Sequence, residues 1–102
     1  MRVSTRERIA FVGGGNMAEA LIRGLRDSGF APGKISVAEP RGQQWRHLAK
    51  RYRVGVHSSN VEATGAATMI VLAVKPQSMA DVLAELGPTV DEIRPPRRPA
   101  TA

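Results

Sequence analysis

The chain reads as an α/β fold, a parallel sheet with flanking helices, and three observations predict it. Two unbroken apolar runs, Ile9-Ala10-Phe11-Val12 and Met69-Ile70-Val71-Leu72-Ala73-Val74, have the character of parallel strands covered on both faces. A turn of three glycines, Gly13-Gly14-Gly15, directly follows the first run. Elsewhere apolar residues recur at i, i+3, i+4 and i+7, the stripe of a half-buried helix, so that strand and helix alternate along the chain. Alternation of this kind implies right-handed crossovers between parallel neighbours.

In chain order, Met1 to Thr5 is expected to be a frayed leader. The stretch Met1 to Arg8 is polar and charged and is no secretory signal. Arg8 to Val12 forms the first strand. The spacing Gly13-x-Gly15-x-x-Ala18 is then the dinucleotide-binding fingerprint in its alanine-ended form. Gly13 turns the chain sharply off the strand, Gly15 has no Cβ to obstruct a pyrophosphate, and Ala18 lets the new helix pack closely on the sheet. The unpaired N–H groups of that helix's first turn face the anion.

The first helix runs from Asn16 to about Ser28, with Ala18, Leu21, Ile22 and Leu25 as its inward stripe, and Gly29 ends it in a left-handed conformation. Asn16 is read two ways, as the helix N-cap and as a cofactor contact. Ile35 to Glu39 is the second strand. Glu39 stands 21 residues beyond Ala18, where an acid binds a ribose hydroxyl. Pro40 is expected in the first turn of a helix whose stripe is Trp45, Leu48, Ala49 and Tyr52, which places Trp45 and Tyr52 in the core.

Val54 to Val56 is a short third strand, Ser58-Ser59-Asn60 a polar loop, and Val61 to Ala66 a brief helix. The run Met69 to Val74, expected at or near a sheet edge, ends in Lys75-Pro76-Gln77. Met79, Val82, Leu83 and Leu86 then give a further helix, stopped by Gly87-Pro88. From about Asp91 the chain loses periodicity and gains prolines, and a segment of that composition is expected to stay disordered. The division is a nucleotide-binding domain over 1–90 and a proline- and arginine-rich tail over 91–102.

Composition limits the function classes. At 102 residues there is room for one domain, and for only the first half of a doubly wound fold. The absence of cysteine excludes disulfides and thiolate chemistry, and the two histidines, His47 and His57, are too far apart in sequence to suggest a metal site. A net charge of +6 invites a nucleic-acid reading, but the arginines are dispersed and aromatic residues make up only 4% of the chain. Nucleic acid is therefore not an expected partner. No apolar run reaches the roughly 18 residues of a membrane span, so no membrane association is expected and the default location is the cytoplasm.

Phe11-Val12-Gly13-Gly14-Gly15-Asn16-Met17-Ala18-Glu19-Ala20, with Leu72-Ala73-Val74-Lys75-Pro76-Gln77 further on, resembles the N-terminal domain of pyrroline-5-carboxylate reductase, a Rossmann-like fold. That family delivers hydride from NADPH or NADH to the C=N bond of a cyclic imine carboxylate, in proline biosynthesis. The resemblance implies that the backbone of Val12, Gly13, Gly14, Gly15, Asn16 and Met17 holds the pyrophosphate of NADP or NAD. It places Glu39 and Arg41 at the adenosine ribose, Asn60 beside the adenosine half, and Ala73, Val74, Lys75 and Pro76 along the nicotinamide. It supplies no catalytic side chain in this stretch.

Two features depart from the family pattern. A carboxylate at Glu39 repels a 2′-phosphate and accepts from a free ribose, which tilts the choice toward NADH, while Arg41 pulls the other way. The family also continues into a further strand and a helical domain that forms the dimer and the imine site, where this chain has its proline-arginine tail. The chain alone is then expected to bind cofactor and leave the imine unreduced, as a truncated or remnant form. Two other readings stay open at this point. One is the nucleotide module of a related oxidoreductase, of the F420-dependent NADP reductase or hydroxyacid dehydrogenase type, and the other is a non-catalytic nucleotide-binding remnant.

Overall fold

Five parallel strands lie in the order β3-β2-β1-β4-β5 in a computed structural model that describes residues 6–91 and 100–101. They are β1 (Ile9–Val12), β2 (Ile35–Ala38), β3 (Gly55–His57), β4 (Met69–Leu72) and the two-residue β5 (Ala100–Thr101). The helices are α1 (Asn16–Asp27), α2 (Gly42–Tyr52), α3 (Asn60–Thr64) and α4 (Pro76–Asp91), with a 3-10 turn at Pro32–Lys34. The leader Met1 to Thr5 lies outside the described residues. So do residues 92–99 and 102 of the expected tail; Asp91 closes α4, and Ala100 and Thr101 pair with Val71 and Leu72. β4 therefore has β1 on one side and β5 on the other.

The chain moves from β1 outward to β2 and β3, then returns across the sheet to β4 on the opposite side of β1. That reversal makes the carboxyl ends of β1 and β4 the topological switch point, the place where open α/β sheets bind ligands.

Alternation along the strands divides the core. Ile9 and Phe11 of β1, with Ile35 and Val37 of β2, pack against Ala18, Ile22 and Leu25 of α1 and Leu48 and Tyr52 of α2. Val12 faces the other way and joins Ile70, Leu72, Val82 and Leu86 under α4. Every residue of β1 is buried, as the unbroken apolar run requires. The α1 stop is a Schellman motif: Gly29 at φ +90° donates to the Arg26 carbonyl at 3.0 Å, and Phe30 donates to that of Leu25, also at 3.0 Å.

Three local expectations are corrected. Arg41, not Pro40, opens α2 as its N-cap, so Pro40 lies outside the helix. Trp45 is 38% exposed, and the inward row of α2 is Gln44, Leu48 and Tyr52 at i, i+4 and i+8. Periodicity marks apolar residues, but the first turn of α2 faces the polar glycine turn, where an amide is the better fit. Finally, α4 continues through Gly87-Pro88 to Asp91.

Candidate functional site

The turn after β1 is bonded into the sheet on both sides. Gly13 donates its N–H to the Ala38 carbonyl at the end of β2 at 3.0 Å, and Ala73 beyond β4 donates to the Val12 carbonyl at 2.9 Å. Gly13 has φ +99°, and a Cβ there would run into the Ala73 carbonyl, so both conformation and space require glycine. Gly14 is buried, with its N–H donating to Glu39 Oε1 at 3.1 Å and its carbonyl accepting from Gln44 Nε2 at 2.6 Å.

Gly15 is the N-cap of α1, and its carbonyl accepts the first intrahelical bond, from Glu19, at 2.9 Å. Asn16 is thus the first helical residue, and no side chain caps α1; its cap reading is corrected. The N–H groups of Gly15, Asn16, Met17 and Ala18 precede the first i→i−4 donor and have no partner within the helix. A Cβ placed on Gly15 would meet only Arg41 Nη2, at 3.7 Å, so the space in front of the turn is open. Met17 extends into solvent beside it, 56% exposed.

Glu39 is only 2% exposed, and both of its oxygens are engaged. Oε1 accepts from the Gly14 N–H and from Arg41 Nη2 at 3.0 Å, while Oε2 accepts from Arg41 N at 2.8 Å and Arg41 Nε at 3.0 Å. Burial pushes this carboxyl up, but the hydrogen bonds and charge of Arg41 and the Gly14 N–H outweigh burial and hold it below the usual carboxylate range. Glu39 is therefore ionised, neutralised, and already supplied with four donors. Arg41, with a side chain 65% exposed, presents its outer face to solvent beside Gly15.

The remaining sequence candidates divide between two places. Ala73 and Val74, both half-buried and next to Gly13, and the exposed Lys75 form the loop from β4 into α4, whose first residue is the exposed Pro76. Asn60, at the start of α3, donates its Nδ2 to Glu85 of α4 at 3.1 Å. Two residues not singled out from the sequence complete the surroundings. Gln44 Nε2 also lies 3.2 Å from Glu19 Oε1, and Glu19 Oε2 accepts from Tyr52 OH at 2.8 Å and lies 2.9 Å from His47 Nε2. A polar residue four positions before Leu48, in an otherwise apolar row, was the available signal for Gln44.

The hydrogen bond from His47, with those of Tyr52 and Gln44, lowers the Glu19 carboxyl from 4.5 to about 2 against the opposing effect of burial. A carboxyl whose folded value is depressed stabilises the fold fully above its unfolded value and loses that contribution as pH falls through the folded one. The melting temperature should accordingly drop between about pH 4.5 and pH 2, and Glu19→Gln should flatten that drop. Parallel melting curves for the two proteins across this range would contradict the assignment.

The family model for coenzyme F420-dependent NADP oxidoreductases matches residues 8–93. The chain is 42% identical over 83 residues to a pyrroline-5-carboxylate reductase from Pseudomonas aeruginosa, covering 81% of this chain and 30% of that protein. It is 41% identical over 80 residues to one from a Synechocystis species, covering 78% and 30%. The structure superposes on a pyrroline-5-carboxylate reductase from Coxiella burnetii with a TM-score of 0.82 at 31% identity, over 84% of this chain and 32% of that one. The chain thus spans about 30% of the length of the curated relatives it matches.

Proposed function

The chain belongs to the family described as coenzyme F420-dependent NADP oxidoreductases, and on that basis we propose that it is the nicotinamide-dinucleotide-binding part of a pyrroline-5-carboxylate reductase. The observation that carries this reading is the meeting of the Gly13–Gly15 turn and the loop beginning at Ala73 and Val74, at the carboxyl ends of β1 and β4, where the strand order reverses. Four N–H groups without helical partners and an open space before Gly15 fit a pyrophosphate there. When bound, the cofactor supplies the hydride for the imine carbon.

This chain's own residues then bind and orient. Within Val12 to Met17, the N–H groups of Gly15, Asn16 and Met17 hold the pyrophosphate, while Val12, Gly13 and Gly14, bonded within the protein, shape the turn; Ala73, Val74, Lys75 and Pro76 line the nicotinamide side. Arg41 faces the ribose. Because Glu39 is already engaged by four donors, it acts as an internal anchor for Arg41 and Gly14 and leaves the ribose to the guanidinium. That reverses the tilt toward NADH drawn from Glu39 alone: an exposed arginine suits a 2′-phosphate, and NADPH is the favoured cofactor. The same residues would equally serve an oxidoreductase that exchanges hydride between NADP and coenzyme F420, which the family description supports. The cytoplasm is the setting for either activity.

The test is a fluorescence titration of the chain with NADPH and with NADH. Saturable binding with NADPH the tighter is expected, and Arg41→Ala should weaken NADPH by about tenfold or more, the loss of a charge-assisted contact, while changing NADH little. No saturable binding of either cofactor would overturn the function, and an unchanged NADPH to NADH ratio in Arg41→Ala would remove Arg41 from the ribose.

A further inference from the structure

Both polar groups of Gly14 are taken by side chains from outside the turn, Glu39 accepting its N–H and Gln44 donating to its carbonyl. Three glycines in succession have wide conformational freedom, so an unheld turn would sample many orientations of its N–H groups. A trans peptide is planar, with its C=O and N–H pointing in opposite directions. When Gln44 draws the Gly14 carbonyl toward α2, it turns the Gly15 N–H of the same peptide away from α2.

We propose that Gln44 is a positioning residue for cofactor binding: oriented by Glu19, it fixes the Gly14-Gly15 peptide so that the Gly15 N–H is held ready for the pyrophosphate. This rests on the dinucleotide reading of the site. Glu19 gives the amide its orientation, because Oε1 lies 3.2 Å from Gln44 Nε2 while Oε2 accepts from Tyr52 at 2.8 Å, near the far end of α2. The connection runs from α1 through α2 to the turn. The Gln44 amide is thereby spent on the protein and makes no contact with cofactor; its effect is to preorganise a donor.

The test compares two ligands on the full chain. ADP-ribose contains the pyrophosphate, whereas adenosine 2′-phosphate reaches only the ribose end. Gln44→Met keeps length and helix preference but cannot donate, and Gln43→Met is the same change one position away, at a side chain outside this connection. Gln44→Met is expected to weaken ADP-ribose by about tenfold, the scale of one lost hydrogen bond, while adenosine 2′-phosphate stays within about twofold and Gln43→Met leaves both unchanged. Gln44→Asn, one methylene too short to reach, should give the same selective loss and serves where Gln44→Met disturbs the fold. Equal losses for both ligands would mark Gln44 as merely structural, and unchanged ADP-ribose affinity would also overturn the proposal. If the parent chain itself fails to bind ADP-ribose, the dinucleotide reading falls and this proposal falls with it.

Discussion

Replacing Gly15 by valine is expected to weaken NADPH binding by about a hundredfold or more while leaving the fold nearly as stable as before. The backbone at Gly15 has φ −78° and ψ −161°, an extended conformation open to any residue. The nearest heavy atom to a new Cβ is the tip of Arg41, at 3.7 Å, an ordinary contact that a flexible side chain accommodates. The fold therefore accommodates a Cβ here, and the weaker N-cap preference of valine costs only about 1 kcal/mol. The branched methyls instead fill the open space before the turn, where the proposed site brings a pyrophosphate to the first N–H groups of α1. Calorimetry with NADPH and a melting curve on the same sample separate the two effects; equal affinity in mutant and parent would sink the pyrophosphate assignment.

Two residues earlier the same substitution acts on the fold. Gly13→Val places a β-branched residue at φ +99° and drives its Cβ into the Ala73 carbonyl, a backbone atom held by the Ala73 N–H bond to Val12. Relief would have to come from moving β4 relative to β1, at the centre of the sheet. Backbone strain and overpacking together should cost about 3 kcal/mol or more. Against a usual stability of about 5–15 kcal/mol that is a large fraction, and the urea midpoint should fall accordingly. A midpoint within experimental error of the parent would mean that the turn is not clamped between the strands as described. The contrast between the two glycines assigns shape to one and ligand access to the other.

Much of this was legible in the sequence because it depends on local rules. The runs at Ile9–Val12 and Met69–Leu72 needed only apolar continuity to be read as buried parallel strands, and the glycine spacing needed only the absence of Cβ atoms at set positions. The contacts that Glu39 and Gln44 make with Gly14 were not legible, even though a polar residue in the apolar row of α2 marked Gln44 as unusual. Glu39 meets Gly14 from 25 residues away and Gln44 meets it from 30, and no periodicity reports a side chain that reaches a distant backbone group. An acid at the end of the second strand suggested a ribose acceptor; in the structure Arg41 gives that carboxylate three of its four hydrogen bonds and the Gly14 N–H the fourth, partners that no local rule announces. Trp45 was misplaced for a related reason: a stripe of apolar residues fixes an axis of burial, but it does not say that one end of that face meets a polar turn.

A dinucleotide held at the turn between β1 and α1 should be visible at the backbone amides of that turn. The most direct measurement follows the backbone amides of the ¹⁵N-labelled chain by NMR as NADPH is added. The account predicts saturable shifts largest at Gly13, Gly14, Gly15, Asn16 and Met17, with further shifts at Arg41 and at Ala73 to Lys75. Saturable binding whose largest shifts lie away from these three segments, along the exposed face of α4 for example, would contradict it.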